Sequence, residues 1–358
     1  MKNALVLGAG KIGRMVASLL QGSGDYRVTV MDSHGGSLAE TLALAPGAQA
    51  VQGRFDDLAA VSRALEGSWA VVSCAPYFCN PAIAEAAKSR GVHYLDLTED
   101  VAVTKKVMEL ARGAKTAFIP QCGLAPGFIT IAANHVIHGM RGLQEVRMRV
   151  GALPEFPSNA LKYNLTWSTD GLINEYIQPC EAVVDGKVTV VPALEGLEHL
   201  MIDGIEFEAF NTSGGLGTFA LTLEGKVRHL SYKTMRYPGH NAILKLLLWD
   251  LGFRDHREQL KSAFERALPT THQDVVALFV SATGEVDGRF TERTYAKIVR
   301  HAEIGGHHWT AIQITTACGV TAVLDLLREG RLPSHGFVRN EDVPFADFIS
   351  NRFGRHYA

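Results

Sequence analysis

No apolar run in this 358-residue chain approaches the roughly twenty residues that a helix needs to cross a bilayer. No leader is visible either, because Met1-Lys2-Asn3 runs straight into the first β-type segment; the expected location is the cytoplasm. Cysteine is scarce. The five residues (Cys74, Cys79, Cys122, Cys180 and Cys318) are odd in number and scattered, which excludes a disulfide framework and reads as reduced thiols. Charge of one sign is lacking as well: 35 basic against 37 acidic residues leave a formal net charge of −2, with no electrostatic footprint for nucleic acid or membrane. Repeats, low-complexity tracts and long charge runs are missing. An apolar content of 47% is enough for two sizeable cores.

The first thirty-odd residues carry the strongest pattern. The apolar run Ala4-Leu5-Val6-Leu7 feeds into Gly8-Ala9-Gly10-Lys11-Ile12-Gly13. A helical face of Ile12, Val16, Leu19 and Leu20 follows, and Val28-Thr29-Val30-Met31 then stops at Asp32 and Ser33. Strand, glycine turn, helix, strand and acid stand in the order of a dinucleotide-binding βαβ unit. Gly8 permits the tight turn, Gly10 lets backbone approach a pyrophosphate, and Gly13 lets the helix pack against the strand. The helix N-terminus, opening at Lys11, favours negative charge. Asp32, nineteen residues beyond Gly13, is placed to accept both ribose hydroxyls. A 2′-phosphate about 4 Å from that carboxylate costs roughly 1 kcal/mol in water and about 4 near a protein surface. The cofactor expected is therefore NAD, with Arg27 and His34 the only cations close by in sequence.

Strands and helices continue to alternate to about residue 120. Ala50-Val51-Gln52 is a short strand, and Asp56 or Asp57 caps the helix that follows. Trp69–Cys74 is a buried strand ending at Ala75-Pro76-Tyr77. Asn80-Pro81 opens a helix, with Asn80 as cap, and Gly91 closes it. Val92–Leu97, a helix over 100–112 and Thr116–Pro120 complete a doubly wound parallel sheet. After Cys122 the texture changes. A helix is expected over 128–138, and Glu145–Val150 alternates strictly, so its basic residues are expected on a solvated face. Val183–Val188 carries an Asp-Gly hairpin turn, and 275–281 and 295–300 pair through Asp287-Gly288. The last fifty residues turn helical, with Ala311, Thr315, Val320, Val323 and Leu326 facing inward. The expected architecture is α/β: a Rossmann-type doubly wound parallel sheet built from 1–121 and 311–358. A second α+β domain, 122–310, has a largely antiparallel sheet.

In open parallel sheets ligands bind beyond the carboxyl ends of the strands. Cys74-Ala75-Pro76-Tyr77, Asp96-Leu97-Thr98-Glu99 and Gln121-Cys122-Gly123 arrive there. Cys74, Ala75 and Pro76 are candidate cofactor contacts. Asp96 and Tyr77 are the candidate acid/base groups, against a cap or sheet-edge role for Asp96 and a pocket-wall role for Tyr77; Cys122 orients the substrate, exchanges protons or is simply a small buried residue at a strand end. The one metal-like cluster, His301, Glu303, His307 and His308, matches no zinc spacing, so no metal is expected.

The whole chain resembles the saccharopine dehydrogenase-like group, which includes saccharopine reductase and lysine 6-dehydrogenase. The matching stretches are the glycine motif, Ala75-Pro76-Tyr77, Cys122–Gly127, Gly151–Pro154, Tyr163–Ser168, Glu175–Pro179 and Thr234–His240. Glu175–Pro179, Glu208–Thr212 and Arg236–His240 resemble lysine 6-dehydrogenase most; the chain departs at Ser213, where an acid is absent. The resemblance implies hydride removal from a carbon bearing nitrogen in an amino acid. A substrate carboxylate then needs a cation, for which Arg236 is the first candidate, against a strand-end arginine paired with an acid, and Lys162 the second, with His240 as an acid/base helper. Trp167, Ser168 and Asp170 are expected on the substrate side, with a core position the equal alternative for Trp167. Two alternatives stand beside the primary-amine dehydrogenase: an enzyme acting on secondary amines such as saccharopine or a carboxy-polyamine, and a non-catalytic NAD-binding regulator. A homodimer is expected because two-fold assemblies are the commonest oligomers.

Overall fold

A computed structural model describes residues 1–358, which divide into two compact units. The first unit comprises residues 1–131, 303–309 and 313–358, and the second 132–302 and 310–312.

The first unit holds a seven-stranded, wholly parallel sheet. Its strands are β1 (Lys2–Leu7), β2 (Tyr26–Asp32), β3 (Gln49–Gln52), β4 (Ala70–Ser73), β5 (His93–Asp96) and β6 (Ala117–Ile119). A late two-residue strand at Gly336–Phe337 adds to β6. The spatial order runs from that late strand through β6, β5, β4, β1 and β2 to β3, so the order reverses between β1 and β4. Strands buried on both faces need the near-continuous apolar runs seen in sequence. Leu5, Leu7, Met31, Val71, Tyr94 and Phe118 share one core with the helices over 58–64, 80–90 and 101–110. Asp57, not Asp56, caps the first of these through the Ala60 N–H at 3.0 Å; Asp56 pairs with Arg54 instead. Asn80 is the first residue inside its helix and accepts from Ser73 Oγ at 2.7 Å, so it does not cap the helix.

The second unit carries an eight-stranded mixed sheet, antiparallel except at one pairing. In chain order its strands are β7 (Arg141–Pro154), β8 (Cys180–Val184), β9 (Lys187–Val191), β10 (Glu198–Ile202), β11 (Ile205–Asn211), β12 (Val227–Arg236), β13 (Asp274–Val286) and β14 (Arg289–Arg300). The main path runs β10-β11-β12-β7-β13-β14, with β8 and β9 branching from β12; β12 and β7 are parallel. Both expected hairpins close through left-handed Asp-Gly pairs, Asp185-Gly186 and Asp287-Gly288. The solvated face predicted for the basic residues of β7 fails at Arg149, which is 1% exposed. It donates to the Ser231 carbonyl at 2.9 Å and pairs with Glu198, which also holds Lys233 at 2.6 Å. A buried cation survives there because its hydrogen bonds and charge are both satisfied.

The helix over Ala311–Arg328 is, contrary to the sequence expectation, long and apolar enough by composition to cross a bilayer, but 83% of it is buried in the protein. That is the burial of a core helix. At its start the Asp274 carboxylate accepts the N–H groups of Ala311 and Ile312, at 2.5 and 3.1 Å.

Candidate active site

The glycine turn after β1 shows why each glycine is needed. Gly8 has φ +108°, and a Cβ there would sit 2.8 Å from the Cys74 carbonyl oxygen, so β1 and β4 approach closely at the reversal of strand order. A Cβ on Gly13 would lie 1.8 Å from the Gly8 carbonyl oxygen. At Gly10 the added atom would meet nothing within 4 Å, leaving an open cradle at the start of the Lys11–Gly22 helix. Lys11 is exposed there, with Ile12 behind it half-buried.

Asp32 closes the other side of the cradle. One carboxylate oxygen accepts the Ala9 N–H at 2.7 Å and the other the His34 N–H at 2.9 Å. Burial alone would raise this carboxyl, but those N–H groups, with the His34 ring, hold it below the usual range. Asp32 is thus a fixed anion whose remaining lone pairs can accept hydroxyls. Ser33, beside it, is tied by its carbonyl to Gln52 Nε2 at 3.0 Å and by its hydroxyl to the His34 ring at 3.0 Å. Glycine backbone for a pyrophosphate and a carboxylate for a ribose fit a dinucleotide.

Farther along the same edge, Cys74 and Ala75 are half-buried and Pro76 exposed, in the turn that leaves β4. Burial pushes the Cys74 thiol up to about 12, which keeps it protonated. Tyr77 packs its half-buried ring against the core and edge-on to the exposed Phe78. Asp96 is fully buried at the end of β5 and accepts three hydrogen bonds. Oδ1 accepts the N–H groups of Thr98 and Gln121 at 3.0 and 2.9 Å, and Oδ2 the Tyr94 hydroxyl at 2.7 Å. Burial raises its carboxyl to about 6 against these bonds. Cys122 donates its S–H to the Ile119 carbonyl at 3.0 Å, and burial, with Asp96 nearby, lifts its thiol well above the ordinary range.

In the second unit Arg236 ends β12 with a guanidinium 2% exposed. It lies over the rings of Tyr163 and Tyr176, at 5.0 and 5.7 Å. Nε donates to the Tyr176 hydroxyl at 2.9 Å, and Nη1 to Thr234 Oγ1 and the Met235 carbonyl at 2.8 and 2.9 Å, leaving Nη2 to donate elsewhere. His240 faces the Leu161 carbonyl with Nδ1 at 2.9 Å and the Tyr176 hydroxyl with Nε2 at 3.1 Å. A carbonyl can only accept, so Nδ1 carries the hydrogen and Nε2 takes that of Tyr176. One chain therefore runs from Arg236 through Tyr176 and His240 to Leu161. Burial and the Arg236 charge lower His240 to about 3, so its ring is neutral and receives the tyrosine hydrogen bond at physiological pH.

Two family models cover the chain in sequence order, with the second running across both structural units. Residues 4–119 match the saccharopine dehydrogenase NADP binding domain model and residues 123–354 the saccharopine dehydrogenase C-terminal domain model. The chain belongs to the saccharopine dehydrogenase family. It is 25% identical over 313 residues to the NADP(+), L-glutamate-forming saccharopine dehydrogenase of Pyricularia oryzae, covering 78% of this chain and 66% of that protein. It is also 25% identical over 371 residues to the mitochondrial alpha-aminoadipic semialdehyde synthase of Rattus norvegicus, covering 99% of this chain but 37% of that one. This chain thus spans just under two-thirds of the fungal relative and little more than a third of the rat one. The apo L-Glu-forming saccharopine dehydrogenase of Saccharomyces cerevisiae shares the fold, with a TM-score of 0.78 at 17% identity over 98% of this chain and 97% of that one.

The remaining residues singled out in sequence spread over the second unit. Lys162, in a left-handed turn, donates to the Pro238 carbonyl at 3.0 Å, beside the Arg236 loop. Trp167 donates to the Tyr163 hydroxyl at 3.1 Å, and Ser168 caps the Thr169–Ile177 helix through the Gly171 N–H. Asp170 points to the surface and pairs with Lys261 at 2.7 Å. Three residues escaped the sequence reading. Tyr163 and Tyr176 cage the arginine, and the buried Glu208 accepts the N–H groups of Gly239 and Asn241. All three lie inside the family-like stretches, which was the available signal.

Proposed function

We propose that this chain is an NAD-dependent oxidoreductase acting at a carbon–nitrogen bond of an amino acid, oxidising a terminal amine as lysine 6-dehydrogenase does. The observation that carries the amino-acid part is Arg236: a caged guanidinium with one nitrogen left to donate suits a carboxylate. Asp32 supports NAD, since a 2′-phosphate would face a fixed anion, although the matched model is named for NADP. A bound nicotinamide supplies the hydride acceptor. The protein's own residues hold the adenosine ribose at Asp32, anchor the substrate carboxylate at Arg236 and remove a proton from the amine.

The second reading is oxidation of a secondary amine of the saccharopine type, which the names of the two relatives favour. Incubating the purified chain with NAD and, separately, with lysine, ornithine, saccharopine and polyamine adducts, while following NADH absorbance, separates the two. Turnover of a primary α,ω-diamino acid is expected; turnover confined to secondary amines would replace the first reading with the second.

A further inference from the structure

The end of β5 and the loop that follows it, at the carboxyl edge of the parallel sheet, carry three acids, Asp96, Glu99 and Asp100. Two are already committed. Asp96 holds Thr98, Gln121 and Tyr94, and Asp100 caps the Val101–Leu110 helix through the Val103 N–H at 2.8 Å. Glu99 lies between them in the loop leaving β5. It is half-buried, pairs with no cation, and the one donor near its carboxyl is its own backbone N–H. The position matters because β5 adjoins β4, which adjoins β1. A dinucleotide held by Asp32 at β2 and by Gly10 extends away from β2, towards β4 and β5.

We propose that Glu99 exchanges the proton of the reacting nitrogen at this edge. The inference rests on the oxidoreductase reading above. In the oxidative direction an N–H bond of the substrate ammonium breaks, its electron pair stays on nitrogen and its proton passes to the Glu99 carboxylate. The freed lone pair forms the C=N bond as the C–H pair leaves as hydride for the oxidised cofactor. Glu99 then returns its proton to water. Its surroundings suit a general base, because burial, with the like charges of Asp100 and Asp96, pushes its carboxyl up to about 7. A base poised there is half ionised at neutral pH, the balance general-base catalysis favours. The groups acting on it are those two acids, with Tyr94 and Cys122 next to Asp96. Asp96, its oxygens already accepting three hydrogen bonds, is the worse placed to accept a proton.

Glu99→Gln tests this. Expected are a loss of kcat/KM of ~10²–10³-fold, loss of the acid limb of the pH profile near 7, unchanged NAD affinity by fluorescence titration, and partial recovery in Glu99→Asp. Carbon-13 NMR of glutamate-labelled protein without substrate should show a carboxyl titrating near pH 7 that is missing in Glu99→Gln. Wild-type-like turnover with the acid limb intact, or no such carboxyl, would overturn the assignment. A wild type that turns over no amine sinks the oxidoreductase reading, and Glu99 with it. Amine turnover by the wild type that stays at the wild-type level in Glu99→Gln overturns the Glu99 assignment alone.

Discussion

Arg236 is useful only if its guanidinium is held still, and what holds it is a run of hydrogen bonds whose directions are all fixed. Leu161 can only accept, so His240 must present Nε2 as an acceptor, and Tyr176 must spend its hydrogen there while accepting from Arg236. Tyr176→Phe breaks the run and leaves a charged N–H unpaired, costing about 1.5–3 kcal/mol of alignment. KM for the amino-acid substrate should rise at least tenfold while kcat moves much less; an unchanged KM in steady-state kinetics would show that the tyrosine only fills space. The arginine could be read from sequence as a cation before a Pro-Gly turn, but its supports could not. Tyr176 stands 60 residues away from it and 64 from His240. No spacing rule reaches across such distances; Tyr176 comes from the Thr169–Ile177 helix, which only tertiary packing brings against the end of β12.

Among the elements, those legible in sequence were the ones made by local chemistry. Asp185-Gly186 and Asp287-Gly288 set their hairpins because a type I′ turn needs two left-handed residues. The parallel pairing of β7 with β12 and the two-residue strand at Gly336–Phe337 were not legible, since both depend on distant partners. Buried Arg149 escaped for the same reason: its counter-charge, Glu198, sits on another strand. The link between β5 and β6 is held by Asp96, whose burial makes ionisation harder than in the unfolded chain. Its folded value of about 6 lies above the unfolded value of 3.8, so its stabilising contribution is complete below about pH 4 and is lost as pH rises through 6. Asp96→Asn keeps an oxygen for the Thr98 and Gln121 N–H groups and removes the titration. The stability of wild type relative to this variant, from urea unfolding, should fall by about 2–3 kcal/mol between pH 4 and 7. A difference that stays flat over this range would mean that the buried carboxyl does not titrate with folding.

At the scale of the whole molecule, the proposed reaction rests on two separate demands, a nucleotide at the glycine turn and Asp32 and a carboxylate at Arg236. The first was plain in sequence because strand, turn, helix and acid lie within 32 residues. Asp32→Ala should weaken NAD by about tenfold or more, the loss of hydrogen bonds to a charged group, and should leave NADP unaffected or improved. Calorimetric titration with both nucleotides decides this, and an equal loss for the two would mean the carboxylate does not discriminate. The most direct test of the account compares kcat/KM for the best amino-acid substrate with that for its decarboxylated amine, in wild type and Arg236→Met, with NAD. Wild type should prefer the amino acid by ~10²-fold or more, and the variant should lose most of that preference, because a buried charge pair is worth several kcal/mol. A preference that survives in Arg236→Met, or a wild type that oxidises both amines equally well, would contradict it.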